Sequence, residues 1–292
     1  MACKSADVKR ATRVDLFPFE KIRDTTTGTM QQSRRSFLLT ATACGLQAQS
    51  QSFSWPEGKR AALSLSFDDA RLSQIDTGLA FLNKLRVPAT FYLTPSGAAR
   101  RLEGWKEAKA AGHELAHHSN SHPCTANYRF SRDNALEDYS VARMEVELDS
   151  ATNELERMFG VRPVSFAYPC GQKFVGRGVG TASYVPLVAK RFRSGRGYLD
   201  ESANDPAVCD LASLMGAGMD GLGAEAMGAL LDAAVAENRW LILVGHEMGE
   251  AAHQSTNLSA LERIIQRASD PGNGIWLDTV AAISAYVKDQ RG

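Results

Sequence analysis

Four short stretches of the chain gather residue types that do acid–base and metal chemistry. Two carboxylates stand side by side in Ser66-Phe67-Asp68-Asp69. Two imidazoles, with three residues between them, stand in His118-Ser-Asn-Ser-His122, which runs on into Pro123. A third stretch reads Phe166-Ala-Tyr168-Pro-Cys170-Gly171, and His246 directly follows the apolar run Leu241-Ile-Leu-Val-Gly245. Two neutral imidazoles and one carboxylate make a three-ligand site for a divalent ion, with one position left open to water. His118 and His122 can converge on one ion from a turn, and Asp69 would complete the set. Asp68 would then lie where it can take a proton from water. Zinc suits such ligands, and cobalt, nickel or manganese can also occupy an imidazole–carboxylate site.

A competing pattern overlaps the second stretch. His113-Glu114-Leu-Ala-His117 matches the HExxH signature of zinc metalloproteases. That signature works on a helix, where both imidazoles share a face. Gly112 stops the helical pattern before it, and the Ser-Asn-Ser-His-Pro that follows is turn chemistry. The longer metzincin pattern fails as well, because Asn120 stands where Gly is needed and Pro123 where His is needed. Residues 113–116 are therefore expected as a strand that carries His118 to its end, with His117 left without a role. Alone, Asp-Asp behind a strand reads as a helix cap, and a lone histidine as a packed or surface residue. Five of the six histidines beside expected strand ends argue instead for a site.

Such residues need a scaffold that ends several strands in one place. A period-two run over 61–67 puts Leu63, Leu65 and Phe67 on one face. Further strands are predicted over 88–93, 164–168, 240–244 and Ile275–Leu277, the run at 240–244 being of the buried parallel kind. Helical spacing predicts helices over 72–85, Leu102–Ala110, 135–159, 224–237, 258–268 and 279–288. The first would bury Leu79, Leu82 and Leu85; the third would bury Val141, Met144, Leu148, Leu155 and Phe159. The Gly-rich stretch 171–180 reads as a surface loop. Strand and helix alternate without repeat or linker, which predicts one α/β domain, either a parallel barrel or a doubly wound sheet. The polar clusters fall directly behind strands, where catalytic groups of parallel barrels collect.

Taken in order, the four stretches resemble the polysaccharide deacetylase family (carbohydrate esterase family 4), which contains chitin, peptidoglycan and rhizobial oligosaccharide deacetylases. The resemblance implies a distorted parallel (β/α) barrel over 59–287 and a metal-dependent hydrolase that removes N-acetyl groups from a glycan. It implies Asp68 as base and Asp69, His118 and His122 as metal ligands. It implies the backbone N–H of Cys170 as oxyanion donor with Tyr168 beside it, and His246 as the acid for the leaving amine. The chain also departs from the family pattern. Ala70 replaces the usual Gly after Asp-Asp, and Ala167 stands where many members carry an Arg that orients the base. Cys170 replaces a common Tyr, and the Asp-Trp pair that supports the acid histidine is missing. Asp220 is a candidate partner for His246, and Arg193 or Arg196 for the missing charge. An O-acetyl ester or small-amide hydrolase on the same fold is the alternative activity, and a glycan-binding relative without catalysis the alternative class.

Composition narrows the partners. The 292 residues carry 33 basic and 33 acidic side chains, so no basic field exists for nucleic acid. Eight of the basic and four of the acidic residues lie in 1–35, which leaves 25 and 29 in the body and a net charge of −4. That charge suits a neutral or cationic glycan. The body holds Cys124, Cys170 and Cys209. Their number and spacing fit neither a disulfide scaffold nor a zinc ribbon, and leave room for one disulfide and one free thiol. The charge-free stretch 36–56 turns Gln/Ser-rich in its second half and cannot supply the roughly 20 apolar residues of a membrane span. Arg34-Arg35 ahead of Phe37-Leu-Leu resembles a twin-arginine export signal, so 1–48 reads as an extension plus signal, with Met30 as a candidate start. An exported protein, periplasmic or secreted, is expected. Ala41-Thr-Ala-Cys44 offers a second reading, a lipid anchor at Cys44, although the Leu usual three residues before the Cys is absent.

Overall fold

The first strand explains the architecture. β1 (Ala61–Asp68) buries all eight of its residues, where the period-two pattern predicts burial of one face. Leu63, Leu65 and Phe67 pack into the main core. The other face is Ala62, Ser64, Ser66 and Asp68, small or polar because it lines the inside of a curled sheet that Trp240 helps to fill. Both serines are satisfied there. Trp240 Nε1 donates to Ser64 Oγ at 3.1 Å, and Ser66 Oγ donates to the Leu243 carbonyl at 2.9 Å. A polar inner stripe thus ends in Asp68 at the C-terminal edge of the strand.

The computed structural model of the chain describes residues 53–249 and 254–292; the export signal, Met30 and Cys44 lie outside them. Seven more strands build the main sheet: β2 (Thr90–Leu93), β3 (Glu114–His117), β4 (Ser165–Ala167), β5 (Ser194–Arg196), β6 (Ala217–Gly218), β7 (Trp240–Gly245) and β8 (Ile275–Leu277). Their order is β5-β4-β3-β2-β1-β7-β6, with β8 also on β1, and every pairing is parallel. Leu214, just ahead of β6, bridges Arg196 of β5, so the two edges of the sheet are linked through that irregular segment. With the intervening helices this is a distorted (β/α) barrel.

Among the described residues eight α-helices pack around it: α1 (Ala80–Leu85), α2 (Pro95–Ala99), α3 (Leu102–Ala110), α4 (Val141–Phe159), α5 (Val185–Arg191), α6 (Ala224–Ala236), α7 (Leu258–Ser269) and α8 (Val280–Arg291). Two expected helices change shape. The pattern over 72–85 divides into a π-type segment, Gln74–Leu79, and α1; Leu79 and Leu82 are buried and Leu85 is partly exposed. The helix expected from 135 begins at Val141, because Ser140 Oγ accepts from the Arg143 N–H at 3.1 Å and caps it. Val141 is correspondingly only half-buried, while Met144, Leu148, Leu155 and Phe159 are in the core. The stretch 171–180 is partly ordered by a two-residue antiparallel ladder, Phe174–Val175 with Ala182–Ser183. β5, which sequence patterning misses, reads Ser-Gly-Arg and has no apolar residue to announce it.

Candidate active site

The strand ends bring the expected ligands together. Asp69 and Ala70 follow β1 with φ of 76° and 50°, a left-handed turn that lets the neighbouring carboxylates reach different partners and explains why Gly is usual at position 70. His118 follows β3, and its N–H extends the ladder to the Leu93 carbonyl at 3.0 Å. Its Nδ1 lies 2.9 Å from the Ala167 carbonyl oxygen. A carbonyl only accepts, so Nδ1 carries the hydrogen and Nε2 the lone pair. The turn to His122 passes through left-handed Ser119 and His122, and Glu147 of α4 clamps it, accepting from Asn120 N–H at 2.9 Å and Ser121 N–H at 2.6 Å.

The Nε2 atoms of His118 and His122 each lie 3.3 Å from Asp69 Oδ1. Ligands at about 2.0–2.1 Å from a tetrahedral zinc ion stand about 3.3–3.4 Å from one another, so both histidine–aspartate pairs fit such an ion, and all three ligand atoms lie within 4.8 Å of one another. The charge states fit as well. Burial opposes ionisation of Asp69, yet its contacts with the His118 and His122 rings hold it well below the usual carboxylate range. Burial pushes His122 down to about 4, which keeps that imidazole neutral.

Asp68 points elsewhere. The fully buried Arg196 pairs through Nη2 with Asp68 Oδ1, donates through Nη1 to the Gly197 carbonyl at 2.8 Å, and lies over the Tyr92 ring at 4.5 Å. Arg196 is the register partner of Ala167, so the charge missing from β4 arrives from the adjacent strand. Of the two sequence candidates for that charge, Arg193 is excluded: it is exposed and donates to the Ala281 carbonyl at 3.3 Å.

His246 follows β7. Its Nδ1 is 2.6 Å from Asp220 Oδ2, while Asp220 Oδ1 accepts from the His246 N–H at 3.2 Å and the Thr256 hydroxyl at 2.9 Å. The candidate partner Asp220 is therefore in place without the usual Trp. Burial would lower the His246 pKa, but Asp220, with Asp68 and Asp69, raises it above the ordinary value. Gly245 is required by a close approach, since a Cβ there would stand 2.2 Å from Thr256 Oγ1. One cavity of about 490 Å³ is lined by Asp68, Asp69, His118, His122, Cys170 and His246.

Cys170 sits in a tight turn with φ of 53° and is disulfide-bonded to Cys124; Cys209 is the free thiol among the described residues. Tyr168 does not reach the cavity. Its ring is buried against Phe166 and Tyr184, and its hydroxyl donates to the Ala212 carbonyl at 2.6 Å, so the expected place beside the substrate is corrected.

The HExxH residues are spent on structure. Glu114 to His117 form β3 rather than a helix, and His113 stands just ahead of it. His113 Nδ1 accepts from the Ala89 N–H at 3.1 Å, and Nε2 meets Asn83 Oδ1 at 3.1 Å. His117 Nδ1 accepts from the Ser119 N–H at 3.0 Å, and Nε2 donates to the Leu148 carbonyl at 3.0 Å, which gives His117 a role in shaping the turn from His118 to His122. Glu114 Oε2 accepts from the Thr90 hydroxyl and from the Ala281 N–H at the start of α8, both at 2.8 Å. Sequence reasoning missed Glu147, Thr256 and Gln74. Gln74 Nε2 donates to the carbonyls of Asp68 at 2.6 Å and His246 at 2.8 Å, joining two strand ends. Its one signal was a polar residue inside an otherwise apolar helical stripe.

Comparison with known proteins agrees. Residues 56–176 match the sequence profile of the family described as polysaccharide deacetylase. The Bacillus subtilis protein YlxY is 29% identical over 93 residues, which is 32% of this chain and 26% of YlxY, so the chain spans about a quarter of that relative's length. A Mycobacterium smegmatis structure assigned to the polysaccharide deacetylases superposes with a TM-score of 0.62 at 19% identity, over 82% of this chain and 94% of that one. A Pseudomonas aeruginosa structure with the same assignment gives 0.59 at 15% identity, over 82% and 94%. A family 4 acetyl xylan esterase from Clostridium thermocellum, in complex with a cobalt ion, gives 0.52 at 19% identity, over 77% and 91%. At these identities the structural likeness speaks for the fold, while the profile match runs through three of the four motif stretches. Residues 56–176 thus resemble the polysaccharide deacetylase family in sequence, and the described residues share the fold of solved structures assigned to it.

Proposed function

We propose that the protein is a metal-dependent hydrolase that removes N-acetyl groups from a glycan. The observation that carries this reading is the convergence of His118 and His122 on Asp69, each at 3.3 Å, in one cavity with Asp68 and His246, which are paired with Arg196 and Asp220. A divalent ion held by those three ligands, zinc by ligand type, supplies Lewis acidity toward the acetyl carbonyl and toward water. Asp68, paired with Arg196, takes the proton from the attacking water. The Cys170 N–H donates to the developing oxyanion. His246 carries a proton on Nε2 while Nδ1–H is held by Asp220, and it delivers that proton to the amine as the C–N bond breaks. At the cavity mouth the exposed rings of Tyr128 and Phe130 stack 5.4 Å apart and offer an apolar platform for a sugar ring.

We place the protein outside the cytoplasm. The Arg34-Arg35 signal reading and the Cys124–Cys170 disulfide both support an oxidising compartment. Among the described residues no helix is long and apolar enough to cross a membrane.

The test is acetate release from chitin oligomers, peptidoglycan and acetylated xylan by the zinc-loaded protein. Asp68→Asn should lower turnover by about 10²–10⁴-fold while zinc content stays at the wild-type level. Near-full activity in that variant would remove Asp68 from the role of base. Release from xylan alone would favour an O-acetyl esterase, and a wild type that holds zinc yet releases no acetate would favour a glycan-binding relative.

A further inference from the structure

The hydrolytic reading uses the backbone of Cys170 and nothing of its side chain, yet that sulfur is bonded to Cys124. The bond joins two loops of the site. One follows β3 and carries His118 and His122, with Cys124 two residues further on. The other follows β4 and holds Cys170 in the cavity wall. β3 and β4 pair through a single residue couple, His117 with Phe166, so the sheet gives these loops little mutual register. His122 and Cys170 both sit in left-handed conformations, with φ of 51° and 53°, which residues bearing a side chain adopt only when their surroundings hold them.

The ring of His122 supplies a second observation. Its Nε2 faces Asp69 Oδ1 at 3.3 Å, and its Nδ1 faces Cys124 Sγ at 3.7 Å, the one polar partner of that nitrogen among the described residues. A disulfide sulfur has no hydrogen and can only accept. It therefore selects the tautomer with the proton on Nδ1 and the lone pair on Nε2, as the Ala167 carbonyl does for His118. A thiol in the same place can donate to Nδ1 and select the opposite tautomer.

We propose that the Cys124–Cys170 disulfide is a positioning element of the metal site: it turns the His122 lone pair toward Asp69 and His118 and fastens that ligand to the loop presenting Cys170. The proposal rests on the metal-site reading above. A dithiol reductant undoes the arrangement by exchange: the dithiol closes to its own disulfide, its two electrons reduce the cystine, and each cysteine sulfur takes up a proton.

The experiment titrates cobalt(II) into the full chain and follows the visible absorption bands, which report the ligand geometry. Two forms are compared with the oxidised wild type: Cys124→Ala/Cys170→Ala, and wild type reduced and then desalted without air. Each should bind cobalt about 10–100-fold more weakly with a changed band shape, while keeping a cooperative thermal transition. Wild-type affinity and bands in both forms, whatever their melting temperature, would reduce the bond to a staple of the fold and overturn the proposal. Loss of the cooperative transition in both forms would overturn it too, because the bond would then hold the domain rather than the ligand. An oxidised wild type that takes up no cobalt sinks the metal-site reading itself, before any variant is compared.

Discussion

Arg196 carries a whole buried charge to the foot of the cavity, and its only anionic contact recorded among the described residues is Asp68. Removing one member of such a pair leaves the other uncompensated, whereas replacing both is far milder. Arg196→Met should therefore destabilise the protein by about 3–5 kcal/mol and abolish turnover. Asp68→Asn/Arg196→Met should recover most of that stability and remain inactive. Urea unfolding of the four corners of this cycle, with acetate release measured alongside, decides the matter; a double variant no more stable than Arg196→Met would deny the pairing. The residue was half legible. The sequence lacks the Arg of the family pattern at 167 and offers two substitutes nearby, but the choice depends on the register between β4 and β5. Ser-Gly-Arg has no apolar alternation from which that register could be read.

At the scale of the element, β3 shows how a strong motif misleads and how context corrects it. The HExxH spacing is shared with a helix, but Gly112 and the turn-forming residues after His117 argued for a strand, and the strand is there. What periodicity could not show is where the strand's polar side chains go: Glu114 caps α8, and His113 accepts from the backbone at the start of β2. His113 gives this bracing a pH dependence. Burial holds its pKa below the ordinary 6.5, and protonating Nδ1 would break the Ala89 hydrogen bond. The unfolded chain therefore takes up this proton first as the pH falls. The contribution to stability is complete above about pH 6.5 and is lost progressively below it. Between pH 7 and pH 5 the urea midpoint of wild type should fall more steeply than that of His113→Gln, with zinc content matched in both. Parallel slopes would show that His113 does not set the acid sensitivity of β3.

At the scale of the whole molecule, the alternation of strand and helix made a parallel α/β domain legible, barrel or doubly wound sheet, the family resemblance pointed to the barrel, and the position of each polar cluster behind a strand made its rim legible. The order of the strands was not, because it depends on β1 pairing with β2, β7 and β8 at once. That pairing sets Asp68 from the first strand beside His246 behind the seventh, 178 positions later in the chain. Gln74 fastens the join. Its amide nitrogen donates to both carbonyls, while its oxygen is buried without a partner, a cost the fold accepts to hold these two strand ends together. Gln74→Ala removes the tie and touches neither of the side chains proposed as base and acid. If the tie positions base and acid for one substrate, kcat should fall by about tenfold or more, because small misplacements of reacting groups are that costly. KM and zinc affinity should stay near wild type, since the proposed ligands follow β1 and β3 alone. Steady-state kinetics on the best substrate of the acetate assay separates the two parameters. A variant with unchanged kcat and only a lower melting temperature would make Gln74 a packing bond, and the alignment of Asp68 with His246 would then belong to the β1–β7 ladder by itself.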